Sequence, residues 1–326
     1  MHGCIRVCLV GFVVTTCHPQ TRAETDPRAQ NAYGIALQQQ GRFEESLAYF
    51  RKALQLDPKY ADAAYNFSLA LLTVSRPAEA LEVLEKHSFR TADHYALKAT
   101  ALNALGRSAD AVPFMRRAFE LAPQNEDYAY DLVIVLLRVE KSDEAADVLK
   151  KGRKRFPGSA KMHAASGMLA YLSGRNAEAA QEYKAATKLE PGAADLWAAL
   201  GDVYTATDSL SPAEAAYSRA IKLDPKSSEY RVKAGRNLLK LERTGEAEAA
   251  FRAAVQIDPD NPETQFQLGK LAAARGDDTS AITHYERAIK SQPSLNSAWY
   301  QLSLSYRRTG QEVKSREALE RFRKTQ

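Results

Sequence analysis

The chain has 326 residues, of which 45% are hydrophobic and 26% charged. That is an ordinary soluble composition, which excludes a disordered polymer and leaves room for one large domain, two ordinary ones, or an array without a single core. Its 45 basic and 40 acidic residues give a net charge of +5, too balanced for a protein whose task is to neutralise phosphates. All three cysteines, Cys4, Cys8 and Cys17, lie in the first 17 residues. The rest of the chain therefore carries neither a disulfide framework nor a Cys-based metal site.

At the N-terminus Arg6 precedes a short apolar run, Val7 to Val14, and polar sequence containing Pro19 follows. This is the layout of a secretory signal peptide, and the run is too short to span a bilayer. Residues 1–26 are thus expected to be a leader and linker, with export to a periplasm or envelope. Val14-Thr15-Thr16-Cys17 loosely resembles a bacterial lipoprotein box, which would put a lipid anchor on Cys17, although Thr16 stands where Gly, Ala or Ser is usual. The alternative is a disordered leader or a misassigned start, which would leave the protein in the cytoplasm.

From Pro27 onward one period governs the chain. Pro123, Pro157, Pro191, Pro225, Pro259 and Pro293 are each 34 residues apart, and Pro58 lies 65 before Pro123, one period of 34 and one of 31. Each follows an apolar-periodic stretch, where proline ends a helix. With proline at position 32, nine units align: 27–60, 61–91, 92–125, 126–159, 160–193, 194–227, 228–261, 262–295 and 296–326. Position 20 is Ala or Ser throughout. Position 8 is small in all but one unit, the exception being Val133, and position 24 is always large and apolar, from Phe50 to Leu319. Each unit reads as two helices, A and B, with a turn near position 15 that holds Gly41, Gly106, Gly174, Gly276 and Gly310. Small residues at 8 and 20 let the helices approach. No single pair can bury its apolar face, so neighbours must stack.

Three local departures stand out. The second unit lacks its closing proline and loses three residues around KHSFRTADHY, which predicts an altered junction to the third. Pro113 should distort the third B helix. In the sixth unit Ser211-Pro212-Ala213-Glu214 reads as a helix start, which would begin that B helix late.

The sixth unit carries Trp197, Leu200, Gly201 and Tyr204 at i, i+3, i+4 and i+7, then Ala213, Tyr217, Ala220 and Pro225. This resembles the tetratricopeptide repeat at every signature position, and the nine units cover 300 of the 326 residues. The resemblance implies an all-α fold, an α-solenoid of antiparallel helix pairs wound as a right-handed superhelix. It also implies that the A helices line a concave groove where peptides dock.

No catalytic signature appears: there is no GxGxxG, P-loop, HExxH or GxSxG. The repeats leave almost no chain for a catalytic site, so no enzyme, cofactor or metal is expected. His87 and His94 share the irregular junction without a third ligand, and His163 falls at a packing position. The Asn66-Phe67-Ser68 sequon lies within a helix at packing positions. Six basic residues crowd 150–161 at the end of a B helix, where cations suit the dipole, and with Phe156 as the single aromatic there is no interleaved series for nucleic-acid binding.

Positions 4, 7, 8 and 11 of each A helix face inward, so 2, 5, 9, 12 and 13 form the opposite stripe. That stripe is apolar in three units, through Tyr65, Leu69 and Leu72, through Tyr130, Ile134 and Leu137, and through Met168, Tyr171 and Leu172. It is small and polar in the third, with Thr100, Asn103 and Ala104. It turns basic later, at Arg236, Lys240, Lys270, Arg307 and Arg308. The apolar residues are candidates for holding a partner peptide or helix, the basic ones for further contacts; the alternative is that curvature packs them on one another. Family members that clamp a C-terminal carboxylate use Lys and Asn at positions 5 and 9, but the first repeat has Asn31 and Ile35 there and no later repeat supplies the pair. Members linked to glycosyl transfer carry an Asn ladder at position 6, and here only Asn66 fits. The expected role is a non-catalytic adaptor for a protein or peptide ligand, touching a membrane only through a lipid on Cys17. The alternatives are self-assembly through the C-terminal repeat, where Phe322 replaces the usual small residue, or an accessory role in envelope polysaccharide synthesis or export.

Overall fold

The structure is a computed structural model and describes residues 24–87 and 89–324. Among them are eighteen α-helices, which form hairpins. They are α1 (Pro27–Gln39), α2 (Phe43–Leu56), α3 (Ala61–Thr73), α4 (Pro77–Lys86), α5 (Ala92–Ala104), α6 (Ser108–Leu121), α7 (Glu126–Arg138), α8 (Ser142–Arg155), α9 (Ala160–Leu172) and α10 (Asn176–Leu189). There follow α11 (Ala194–Ala206), α12 (Leu210–Leu223), α13 (Ser228–Lys240), α14 (Thr244–Ile257), α15 (Pro262–Ala274), α16 (Asp278–Ser291), α17 (Asn296–Arg308) and α18 (Glu312–Lys324). Odd-numbered helices are A helices and even-numbered ones B helices. The fold is all-α, and the chain divides into two compact units between Val148 and Leu149, within α8. Each unit is an α-solenoid of antiparallel helix pairs.

Every A helix occupies positions 1–13 of its repeat and every B helix begins at position 17. The turn between them explains this regularity. The residue at position 15 has positive φ in all nine repeats: the five glycines, and Ser75, Glu140, Asp208 and Glu242 in the other four. In each repeat the N–H at position 16 then donates to the carbonyl at position 11, as Arg42 does to Leu37 at 2.9 Å and Ser209 to Tyr204 at 2.8 Å. That is the long hydrogen bond of a Schellman cap.

The cap also corrects the expected late start in the sixth repeat. Position 17 follows the cap directly, so α12 begins at Leu210, with Ser209 at its N-cap and no side-chain capping bond. Ser211 and Pro212 lie inside the first turn, where a missing N–H costs nothing. Pro113 likewise does not break its helix, for α6 runs continuously from Ser108 to Leu121. The proline is exposed, as is Ala109, whose carbonyl loses the helical donor and can face solvent. The shortened second repeat shows its deletion in α4, which ends at Lys86 after ten residues.

Close approach of the two helices follows a rule across the chain. A Cβ added at Gly34, Gly167, Gly201, Gly235 or Gly269 would lie 2.5–2.9 Å from the ring at position 24: Phe50, Tyr183, Tyr217, Phe251 or Tyr285. The four repeats with another residue at position 8, Ser68, Ala99, Val133 and Ser303, carry the unbranched or aliphatic Leu84, Met115, Leu149 and Leu319 instead. Position 8 is glycine only where position 24 is aromatic.

Stacking then builds the core from repeat to repeat. In the second unit Ala272, Tyr285, Ile289, Leu302 and Tyr306 form one buried cluster across the last two repeats. In each unit a tyrosine at position 3 also donates to an aspartate at position 2 of the preceding repeat, Tyr128 to Asp93 and Tyr230 to Asp195.

Candidate functional site

The A-helix stripe differs between the units. In the first unit Leu137 is buried, at 6% exposure, and is left to the core. Tyr65, Leu72, Tyr130 and Ile134 are half-buried, and the Tyr65 ring packs on His94 at 5.9 Å between centroids. Burial raises the Tyr65 phenol above its usual pKa. Leu69 alone of these six is exposed. Asn66 donates to Asn31 at 3.0 Å, which fixes that pair within the first two repeats.

In the second unit the stripe is open. Tyr171 is 38% and Leu172 60% exposed at the end of α9, and Met168 is half-buried beside them. These three line a cleft of ≈ 370 Å³ together with Asp202, Glu229, Tyr230 and Lys233. Tyr171 also lines a second cleft of ≈ 560 Å³ with Thr205, Arg236, Lys240, Gln267 and Lys270. Asp202 and Lys233 line both. The structure therefore brings together Tyr171, Arg236, Lys240 and Lys270 and sets Met168 and Leu172 next to them. Arg307 and Arg308 do not line either cleft; Arg308 pairs with Asp278 at 3.2 Å.

The cleft floor is a fixed polar network. Tyr217 donates to Asp202 at 2.8 Å and lies 3.1 Å from the Thr205 hydroxyl, while Lys233 donates to the other Asp202 oxygen at 2.8 Å and reaches Glu229 at 3.0 Å. Burial alone would lower the Lys233 pKa, but its hydrogen bonds to Asp202 and Glu229 outweigh this and hold it above the ordinary lysine value. Burial, reinforced by Asp202, raises the Tyr217 phenol. Asp202 and Lys233 thus neutralise each other. Three cations remain: Lys240 donates only to the Thr205 carbonyl at 3.1 Å, Lys270 lies 5.7 Å from the Phe266 ring centre, and Arg236 has no hydrogen-bond or ion-pair partner among the described residues.

Lys233 and Asp202 are site residues that the sequence reading does not single out, although Asp202 lies on the stripe. They sit at positions 6 and 9, and only the ion pair across adjacent A helices reveals their role. Other expected features lie elsewhere. Cys17 and the leader before residue 24 fall outside the described residues. Phe322 is half-buried against Tyr300 of its own repeat, at 5.4 Å between ring centres. In the basic run Arg153 pairs with Glu182 at 2.7 Å, and His163 bonds the same carboxylate at 2.7 Å. His87 bonds the Pro58 carbonyl and His94 the Thr91 hydroxyl. Among the described residues no group of three or more His, Cys, Asp or Glu could hold a metal, and no helix is long and apolar enough to cross a membrane.

Family models of the tetratricopeptide repeat match residues 27–60, 92–125, 130–194, 170–234, 232–296 and 266–325. An uncharacterized protein of Methanocaldococcus jannaschii is 40% identical over 60 residues, which is 17% of this chain and 70% of that protein. Among solved structures, the Cut9–Hcn1 hetero-tetramer of the APC/C is similar with a TM-score of 0.57 at 17% identity, over 91% of this chain and 66% of that one. The MamA protein is similar with a TM-score of 0.46 at 19% identity, over 51% of this chain and 91% of that one. At such identity the likeness to Cut9–Hcn1 concerns the fold.

Proposed function

The chain belongs to the tetratricopeptide repeat family, a scaffold for protein interaction, and on that premise we propose a non-catalytic adaptor that holds a segment of a partner protein on the A-helix face of its second unit. One observation carries the reading: Tyr171 and Leu172 are exposed beside clefts whose floor is a satisfied polar network. Exposed apolar side chains above a rigid polar floor suit a bound strand or helix, with the apolar contacts supplying affinity and the polar ones orientation. The leader-like residues 1–26 support a site of action in a bacterial envelope.

The test is site-specific photo-crosslinking in cells of the source organism. A crosslinker at Leu172 should trap a partner, and one at Val313, exposed in the final B helix, should not. A partner trapped equally from both positions, or only from Val313, would move the interaction off the A-helix face.

A further inference from the structure

Resting on the adaptor reading, we propose that the segment held at the second unit is acidic. Its carboxylates would engage Arg236, Lys240 and Lys270, and an adjoining apolar side chain would lie against Tyr171 and Leu172. The observation is that these three cations line one cleft together. The only carboxylate lining the larger cleft is Asp202, and Lys233 and Tyr217 already occupy its oxygens. Three positive charges therefore line one concavity without a counter-charge, which raises the local concentration of anions and selects against cationic segments.

The neighbouring chemistry selects a polypeptide among anions. Tyr171 lines the cationic cleft, and it joins Met168 and Leu172 in the smaller one, whose carboxylates Asp195, Asp202 and Glu229 are engaged by Tyr230 and Lys233; an apolar surface next to the cations suits a chain that carries both side-chain classes. A uniformly polar polyuronate would leave that surface uncovered. Nucleic acid would want a series of exposed aromatics on which to stack bases, and Tyr171 is the one exposed aromatic lining the described clefts here.

The experiment measures fluorescence anisotropy of the full chain with a labelled glutamate-rich peptide carrying leucine, and with its glutamine and lysine counterparts. An alginate oligosaccharide and a single-stranded DNA oligonucleotide serve as competitors. The glutamate peptide should bind at least about tenfold more tightly than the glutamine peptide and weaken as salt rises. Arg236→Gln/Lys240→Gln/Lys270→Gln should abolish that difference while circular dichroism stays unchanged, since all three side chains are exposed. Tyr171→Ser/Leu172→Ser should weaken the glutamate and glutamine peptides alike. Equal affinity for those two peptides, lost in the Tyr171/Leu172 variant, would overturn the acidic preference and leave the adaptor reading standing. Binding untouched by either variant, or absent for every peptide, would overturn both. Competition by alginate or DNA stronger than by unlabelled peptide would overturn the choice of a polypeptide.

Discussion

Position 12 of the A helix holds Leu137 in the first unit and Tyr171 in the second, and the two fare differently: Leu137 is 6% exposed and Tyr171 38%. The same register therefore does not mean the same surface. In the first unit the stripe is mostly drawn into packing, with Tyr65 against His94. In the second it stays open beside three unneutralised cations. Repetition fixes where a side chain starts, and its neighbours decide whether a partner could reach it.

The sharpest way to break this comparison is to make both positions polar. Leu137→Ser should destabilise by about 2–4 kcal/mol, because it leaves a cavity and a hydroxyl in an apolar site. Tyr171→Ser should change stability by about 0.5 kcal/mol or less, as surface changes do. Urea denaturation of both variants measures the difference, and equal losses would erase the distinction between the units.

Next in size is the pairing of positions 8 and 24, which should hold wherever the ring is present. Gly201→Val in the second unit, or Gly34→Val in the first, forces a side chain into Tyr217 or Phe50 and should cost about 1–3 kcal/mol. Combining Gly201→Val with Tyr217→Leu, the arrangement that Val133 and Leu149 already have, should recover part of that loss in a double-mutant cycle. Simple additivity would contradict the rule.

The turns should respond by about 1 kcal/mol or less. Glu140→Gly and Glu242→Gly, one in each unit, relieve a left-handed backbone that costs an L-residue about 1–2 kcal/mol, offset in part by glycine's unfolded-state entropy. Both should raise the melting temperature slightly, and a fall in either would show that the side chain matters more than the backbone.

Smallest is an effect of pH shared by both units. Burial holds His94 in the first and His284 in the second below the ordinary histidine pKa. The unfolded chain then binds protons more readily, so this stability is fully present above about pH 6.5 and is lost as pH falls through the lower folded values. His94→Gln and His284→Gln should each flatten the melting profile over that range, and an unchanged slope would remove the contribution.

Much of the fold is legible in the sequence because it is local. Proline at position 32, small residues at 8 and 20, and glycine at 15 each encode a constraint that one repeat satisfies by itself. The reading fails where a local signal competes with the repeating frame. Ser211-Pro212 looks like a helix start, yet the cap from Ser209 to Tyr204 sets the start at Leu210. Ser75, Glu140, Asp208 and Glu242 carry no turn signature of glycine, yet they take the same left-handed geometry because the cap imposes it. The candidate site is only half legible. Its stripe follows from helical spacing, but the burial of Leu137 and the Lys233–Asp202 pair depend on how adjacent repeats meet, which no single repeat encodes.

Hydrogen–deuterium exchange of the full chain with and without the glutamate-rich peptide tests the central claim most directly. The account predicts added protection over residues 168–172 and 233–240, absent in the Arg236/Lys240/Lys270 variant. Protection centred on the first unit's A helices, or unaffected by removing those three charges, would contradict it.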